Sequence, residues 1–187
     1  MNYHPSIWRT CRVLANEQRL ACLLAVLRDP FSSVNEIAAR LDLPLDKASL
    51  GLRALQARGL IQAQRVSRWV RYLPLPDPLV PDAAPTLAAL RKALKQDAAT
   101  PATTIRTLTA FTHPRRLALL RHLQQHKEAS VKVLSSSNQI SIPALHRHLL
   151  KLKTRALIVP TDQGWALSSK PPALAKDLLH ILAHSPQ

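Results

Sequence analysis

Arg147, Lys151 and Thr154 stand at i, i+4 and i+7 within the run S-I-P-A-L-H-R-H-L-L-K-L-K-T-R-A-L-I, residues 141–158. On a helix of period 3.6 this spacing gathers two cations and a hydroxyl on one side, while Leu145, Leu149 and Leu152 line the other. A guanidinium and an ammonium so placed can donate to guanine O6 and N7 in the major groove of double-stranded DNA, with neighbouring groups holding phosphates. Ser141 is positioned to cap the helix, and Pro143 fits its first turn, where a missing N–H costs nothing. Ser141, Ala144, His146 and His148 flank the cations and are expected to share the contact with DNA. A solvated basic face on an ordinary amphipathic helix has the same pattern, so this stretch alone leaves both readings open.

Other residue types suggest other chemistry. Asp177, His180 and His184 fall at i, i+3 and i+7 near the C-terminus and offer oxygen and nitrogen ligands. The matching helix near 84–95 has no histidine, so the other half of a symmetric metal site is missing and neither metal nor cofactor is expected. His122 and His126 sit near a helix end that favours cations. Cys11 and Cys22 could form an oxidisable pair across two helices, although buried cysteines commonly just fill core. Neither belongs to a C-x-x-C motif, and the 3 glycines cannot build a phosphate-binding loop. With no nucleophile, base and orienting group at useful spacing, no enzyme is expected.

The 187 residues carry 26 Lys plus Arg against 11 Asp plus Glu, a formal charge of +15. That excess favours a polyanionic partner, nucleic acid or an anionic membrane surface. No window has the ~18 uninterrupted apolar residues of a spanning helix, and the start M-N-Y-H-P-S-I-W-R has no signal-peptide pattern. A cytoplasmic protein with no membrane association is the expectation.

The elements that must carry these residues occur twice. Shifting the sequence by 97 residues aligns 14–61 with 111–158 without a gap, giving 11 identities among 48 pairs, including Arg19/Arg116, Leu20/Leu117, Leu52/Leu149, Leu55/Leu152 and Arg58/Arg155. In the first copy the apolar spacing predicts helices over Tyr3 to Ala15, from Asn16 to the Asp29-Pro30 stop, over Val34 to Leu41 and over Leu45 to Arg58, with Gly59 as a left-handed cap. The alternating segment after Gly59 predicts a two-stranded hairpin turning at V-S-R, in which Trp69 packs. Pro74, Pro76, Pro78 and Pro81 stiffen the connector to a helix over 84–95. The second copy predicts helices near 103–111, 113–125, 131–136 and 142–154, strands near 157–160 and 164–167, with Trp165 packing that hairpin, and a final helix over 172–183. The expected fold is mainly α with small β wings, divided into a module at 1–82, a flanking, dimerisation-type helix and linker at 83–97 and a module at 98–187.

The segments L-A-N-E-Q-R-L-A-C-L-L-A-V-L and F-T-H-P-R-R-L-A-L-L-R-H-L, each followed by a helix ending L-R-A-L-Q-A-R-G-L-I or L-L-K-L-K-T-R-A-L-I, resemble the ArsR-type winged-helix repressors of bacteria. The hairpin R-V-S-R-W-V-R-Y is similar to that family's basic wing. The resemblance implies tandem winged helix-turn-helix modules, a transcriptional regulator binding double-stranded DNA and, because such repressors dimerise through their first and last helices, an intrachain pseudo-dimer. The family's thiolate metal motif is absent from both copies.

The copies differ where they would touch DNA. His146-Arg147-His148-Leu149 matches the family's recognition run, whereas the first copy has Ser49-Leu50-Gly51-Leu52 and turns Leu50, Ala54 and Ala57 outward. Such an apolar face suits a protein partner or self-association. The hairpins are biased the other way, with Arg65, Ser67, Arg68 and Arg71 in the first and Asp162 in the second. The expectation is that the second module reads bases while Lys47, Ser49 and the first hairpin contact phosphates. A plasmid or phage replication or partition initiator, and a protein-interaction module using helix 45–58, are the alternatives.

Overall fold

The computed structural model describes residues 7–95 and 100–185; positions 3–6 of the first expected helix and the junction at 96–99 lie outside the described residues. The described residues are mainly helical with two small antiparallel sheets. The first half comprises α1 (Ile7–Leu14), α2 (Glu17–Arg28), β1 (Ser32–Ser33), α3 (Val34–Arg40), α4 (Leu45–Gln56), β2 (Gln62–Val66), β3 (Trp69–Leu73) and α5 (Ala83–Leu94). The second comprises α6 (Pro101–Leu108), α7 (Pro114–Gln125), α8 (Val131–Asn138), α9 (Ile142–Lys153), β4 (Ile158–Thr161), β5 (Gly164–Leu167) and α10 (Ala173–His184). Both halves therefore run helix, helix, short helix, helix, hairpin, helix.

Local chemistry fixes the helix starts. Asn16 Oδ1 accepts from the Arg19 N–H, Ser33 and Glu36 form a reciprocal capping box, and Ser130 Oγ accepts from the Val133 N–H. Ser141, expected to cap α9 in the same way, occupies the cap position without a side-chain hydrogen bond. Pro143 stands at the second helical position and has no N–H, which removes one of the two donors a cap can accept from.

The same turn joins α3 to α4 and α8 to α9. Asp42 and Gln139 both adopt φ +50°, and the next residue closes each turn: Leu43 N–H donates to Ala38 O and Ile140 N–H to Ser135 O, each at 3.0 Å. Leu23, Leu52 and Leu55 and their counterparts Leu120, Leu149 and Leu152 belong to one continuous core. The core is continuous because α5 packs against α10, and α1 and α2 against α6. Lys92 Nζ and Asp177 Oδ1 pair across this seam at 3.0 Å, and Ser185 Oγ donates to Asp82 Oδ1 at 2.7 Å.

The first sheet has the order β1-β3-β2, with Ser32 opposite Tyr72 and Val66 opposite Trp69 across the Ser67-Arg68 turn. The third strand was not legible in the sequence, since two serines carry no alternation. In the second half Ala129 pairs with Trp165 at the position that corresponds to Ser32, beside the β4–β5 hairpin.

Gly59 and Ala156 are equivalent, and both are left-handed after their helices, at φ +67° and +57°. Glycine tolerates this region whereas alanine's Cβ opposes it. Ala156→Gly is expected to stabilise the fold by about 0.5–1 kcal/mol, measured as a higher denaturant midpoint with an unchanged slope.

Candidate nucleic-acid interface

On α9 the buried strip is broader than the three leucines: Ala144, Leu145, Leu149 and Leu152 are covered, and His148 and Lys151 are half-buried beside them. Ala144 therefore faces the core instead of solvent, correcting its expected contact role. Ser141, His146, Arg147, Lys153 and Thr154 are exposed. Ile142 and Leu150 stand out with them at 51% and 61% exposure. Leu150 lies three residues from Arg147 and four from Thr154, so helical spacing already placed it on the outward strip, where an apolar side chain can meet a thymine methyl.

Two of the expected polar contacts, Thr154 and His148, are partly committed within the protein. The Thr154 hydroxyl donates to Lys151 O at 3.1 Å and accepts from Arg155 Nη1 at 2.7 Å, so it is not a free donor. Lys151 is half-buried among other cations; burial and the guanidiniums of Arg155 and Arg116 push its ammonium below the usual lysine range. His148 packs on His113 with ring centroids 4.8 Å apart. Burial first, then the surrounding His113, Arg116, Arg115 and Arg147, push His148 down to about 4. It is therefore neutral at pH 7, packs against His113 and brings no charge to a phosphate. Burial, Arg116, Arg115 and Arg12 likewise push His113 down.

These depressed values give a signed pH dependence. The folded protein resists protonating His148 while the unfolded chain accepts a proton near 6.5, so stability is fully present above pH 6.5 and is lost as pH falls towards 4. Unfolding midpoints are expected to drop across that window, and His148→Gln is expected to flatten the profile.

In the first half, Lys47 is exposed with Asp46 nearby at 4.0 Å, and Ser49 is half-buried. Leu50 and Ala57 are exposed and Ala54 half-buried, so α4 presents Leu45 and Leu50 where a groove-reading helix would need donors. Arg65, Ser67 and Arg68 are exposed on the β2–β3 hairpin, with the Arg68 guanidinium 5.3 Å from the Trp69 ring centroid. Trp69 is thus a surface residue of the hairpin tip, not a packing residue as expected, while Trp165 is half-buried. Arg71 is also corrected. Its Nη1 donates to both Glu36 oxygens, at 2.9 and 2.7 Å, and to Phe31 O, which ties the sheet to α3. The Ser33 backbone N–H, then Arg71 and the Ser33 hydroxyl, hold Glu36 down at about 2.

The sensor candidates do not assemble. Asp177 is paired with Lys92, His184 Nδ1 contacts His180 O at 2.8 Å, and no group of three metal-ligating side chains converges among the described residues. Cys11 and Cys22 are both buried; burial pushes both thiols up, opposing the thiolate that redox chemistry needs. Among the described residues no helix is long and apolar enough to cross a membrane.

Set against protein-family models and curated proteins, the chain matches none.

Proposed function

We propose that the chain is a sequence-specific regulator of transcription that binds double-stranded DNA through two ArsR-like winged helix-turn-helix modules, paired as an intrachain pseudo-dimer. The observation that carries this reading is α9. A short helix stands behind it across a tight left-handed turn, Leu145, Leu149 and Leu152 are buried, and Arg147, with His146, Leu150 and Lys153, faces solvent. The exposed Arg65 and Arg68 of the β2–β3 hairpin supply phosphate contacts, and the packing of α5 on α10 and of α1 on α6 is what a fused dimer of such modules requires. A net charge of +15 supports association with a polyanion. Repression rather than activation rests on family resemblance.

A second reading concerns α4. Leu45 and Leu50 are 51% and 54% exposed, so this module's helix suits a protein contact better than base edges.

Duplex binding followed against salt concentration tests the reading. With about 6–8 phosphate contacts, the log–log slope is expected near −5 to −7. A slope near zero would mean that the charge is incidental to binding.

A further inference from the structure

The two halves treat the same pair of arginines differently. In the second half Arg116 is almost fully buried and satisfied: Nε donates to Ala110 O at 2.7 Å, and Nη2 donates to Thr109 O at 2.9 Å and Thr112 Oγ1 at 2.8 Å. Arg155 Nε donates to Thr109 Oγ1 at 3.1 Å and its Nη1 to Thr154 Oγ1 at 2.7 Å. Three threonine hydroxyls hold the two guanidiniums.

At the offset of the repeat, Arg116 and Arg155 become Arg19 and Arg58, while Thr109, Thr112 and Thr154 become Arg12, Ala15 and Ala57. Every hydroxyl is lost and a further cation replaces one of them. Arg58 Nη1, whose counterpart donates to Thr154 Oγ1, is accordingly buried with no hydrogen-bond partner; Arg19 Nε is also buried without one, although its counterpart on Arg116 donates to a backbone carbonyl, Ala110 O. No carboxylate among the described residues pairs with Arg12, Arg19 or Arg58. These three side chains line one pocket of about 500 Å³ with Trp8, Arg9 and Val13, and the Arg9 guanidinium lies over the Trp8 ring at 5.1 Å.

Buried guanidinium donors without acceptors, drawn together without a counter-charge, are unfavourable unless a ligand supplies both. Planar forked donors match the oxygens of a phosphate, and the volume falls in the range of small-ligand sites. We propose that this pocket, between α1, α2 and the residues following α4, binds a phosphate-type oxyanion through Arg12, Arg19 and Arg58, with Trp8 and Val13 offering an apolar surface to whatever carries the phosphate. Two sources share this chemistry, a free phosphate monoester and a DNA backbone phosphate. Arg58 follows the end of α4 farthest from Leu45, which points to the free monoester.

The test uses the full chain with inorganic phosphate and with phenyl phosphate at constant ionic strength, against chloride, followed by calorimetry and thermal shift. One saturable site is expected, with tighter binding of phenyl phosphate. The triple variant Arg12→Thr, Ala15→Thr, Ala57→Thr recreates the hydroxyl arrangement of the second half, and is expected to stay folded and lose at least tenfold in affinity. Arg58→Gln is a second variant that needs no repacking and is expected to lose affinity comparably. Absence of saturation above the chloride control, or equal binding by both variants, would overturn the site. Duplex titrations separate the sources: unchanged duplex affinity in the variants, without competition by phenyl phosphate, assigns the free monoester, whereas a matching loss of duplex affinity overturns that assignment in favour of backbone phosphate. The role of α9 in reading DNA does not depend on this result.

Discussion

Replacing Arg147 and Lys151 together with alanine is expected to remove most of the preference for a selected duplex over random duplex, leaving the non-specific affinity largely in place. A bidentate guanidinium–guanine contact is worth about 1–3 kcal/mol of discrimination, so Arg147→Ala alone should cost about 5- to 150-fold at the cognate site. Folding should not suffer. Arg147 is exposed, and Lys151 sits among the like charges of Arg155 and Arg116, so removing its ammonium relieves repulsion. Arg65→Ala and Arg68→Ala serve as the contrast, since phosphate contacts carry no sequence information. Each should weaken binding to all duplexes alike and reduce the salt slope by about 1. Competition titrations at two salt concentrations separate the outcomes. An unchanged specificity ratio in the double variant would remove α9 from the reading surface.

Gly164→Ala is expected to produce the largest loss of stability, about 2–4 kcal/mol. Gly164 adopts φ +148°, and a Cβ there would lie 2.3 Å from Ala129 O and 2.7 Å from Ser130 Cα, both backbone atoms that cannot swing aside. The clash falls on the paired hydrogen bonds between Ala129 and Trp165, at 3.0 Å in each direction, which tie the β4–β5 hairpin to the residue before the cap of α8. For a chain of this size the melting temperature should fall by about 10 °C. A fall of less than ~2 °C would show that the junction yields freely.

The architecture was largely legible because leucines recur with helical period and the repeat checks each element against its copy. Leu20, Leu23, Leu117 and Leu120 placed α2 and α7, and the alternation after Gly59 placed β2 and β3. What the sequence could not disclose depends on partners distant in the chain. Arg71 looked like a free cation of the hairpin until the fold brought Glu36 to it. His148 reads as a flank of the cationic face, and only the fold packs His113 against it. Ala144 was misplaced for a simpler reason: three leucines define too narrow a stripe, and the covered face extends one position to its side. The differing surroundings of Arg19 and Arg116 are likewise hidden by their identity in the alignment: the change from Thr109, Thr112 and Thr154 to Arg12, Ala15 and Ala57 gains meaning only once the fold places those positions beside the guanidiniums.

The asymmetry between the halves explains how a duplicated unit can specialise. The outward strip of α4 has Leu50 and Ala57 where that of α9 has Arg147 and Thr154, while the guanidiniums of the hairpin tips occur in the first half. A single chain built this way would address one half-site through bases and its other half-site through the backbone, giving an unsymmetrical footprint.

The most direct measurement is amide chemical-shift mapping of the intact chain on addition of a duplex selected from a random-sequence pool. The largest changes are predicted at Ser141 to Leu150 on α9, with a second set at Arg65 to Trp69 and only small ones about Lys47 and Ser49 on α4. Changes centred on Leu45 to Ala54, or confined to α5 and α10, would contradict the assignment of base reading to the later half.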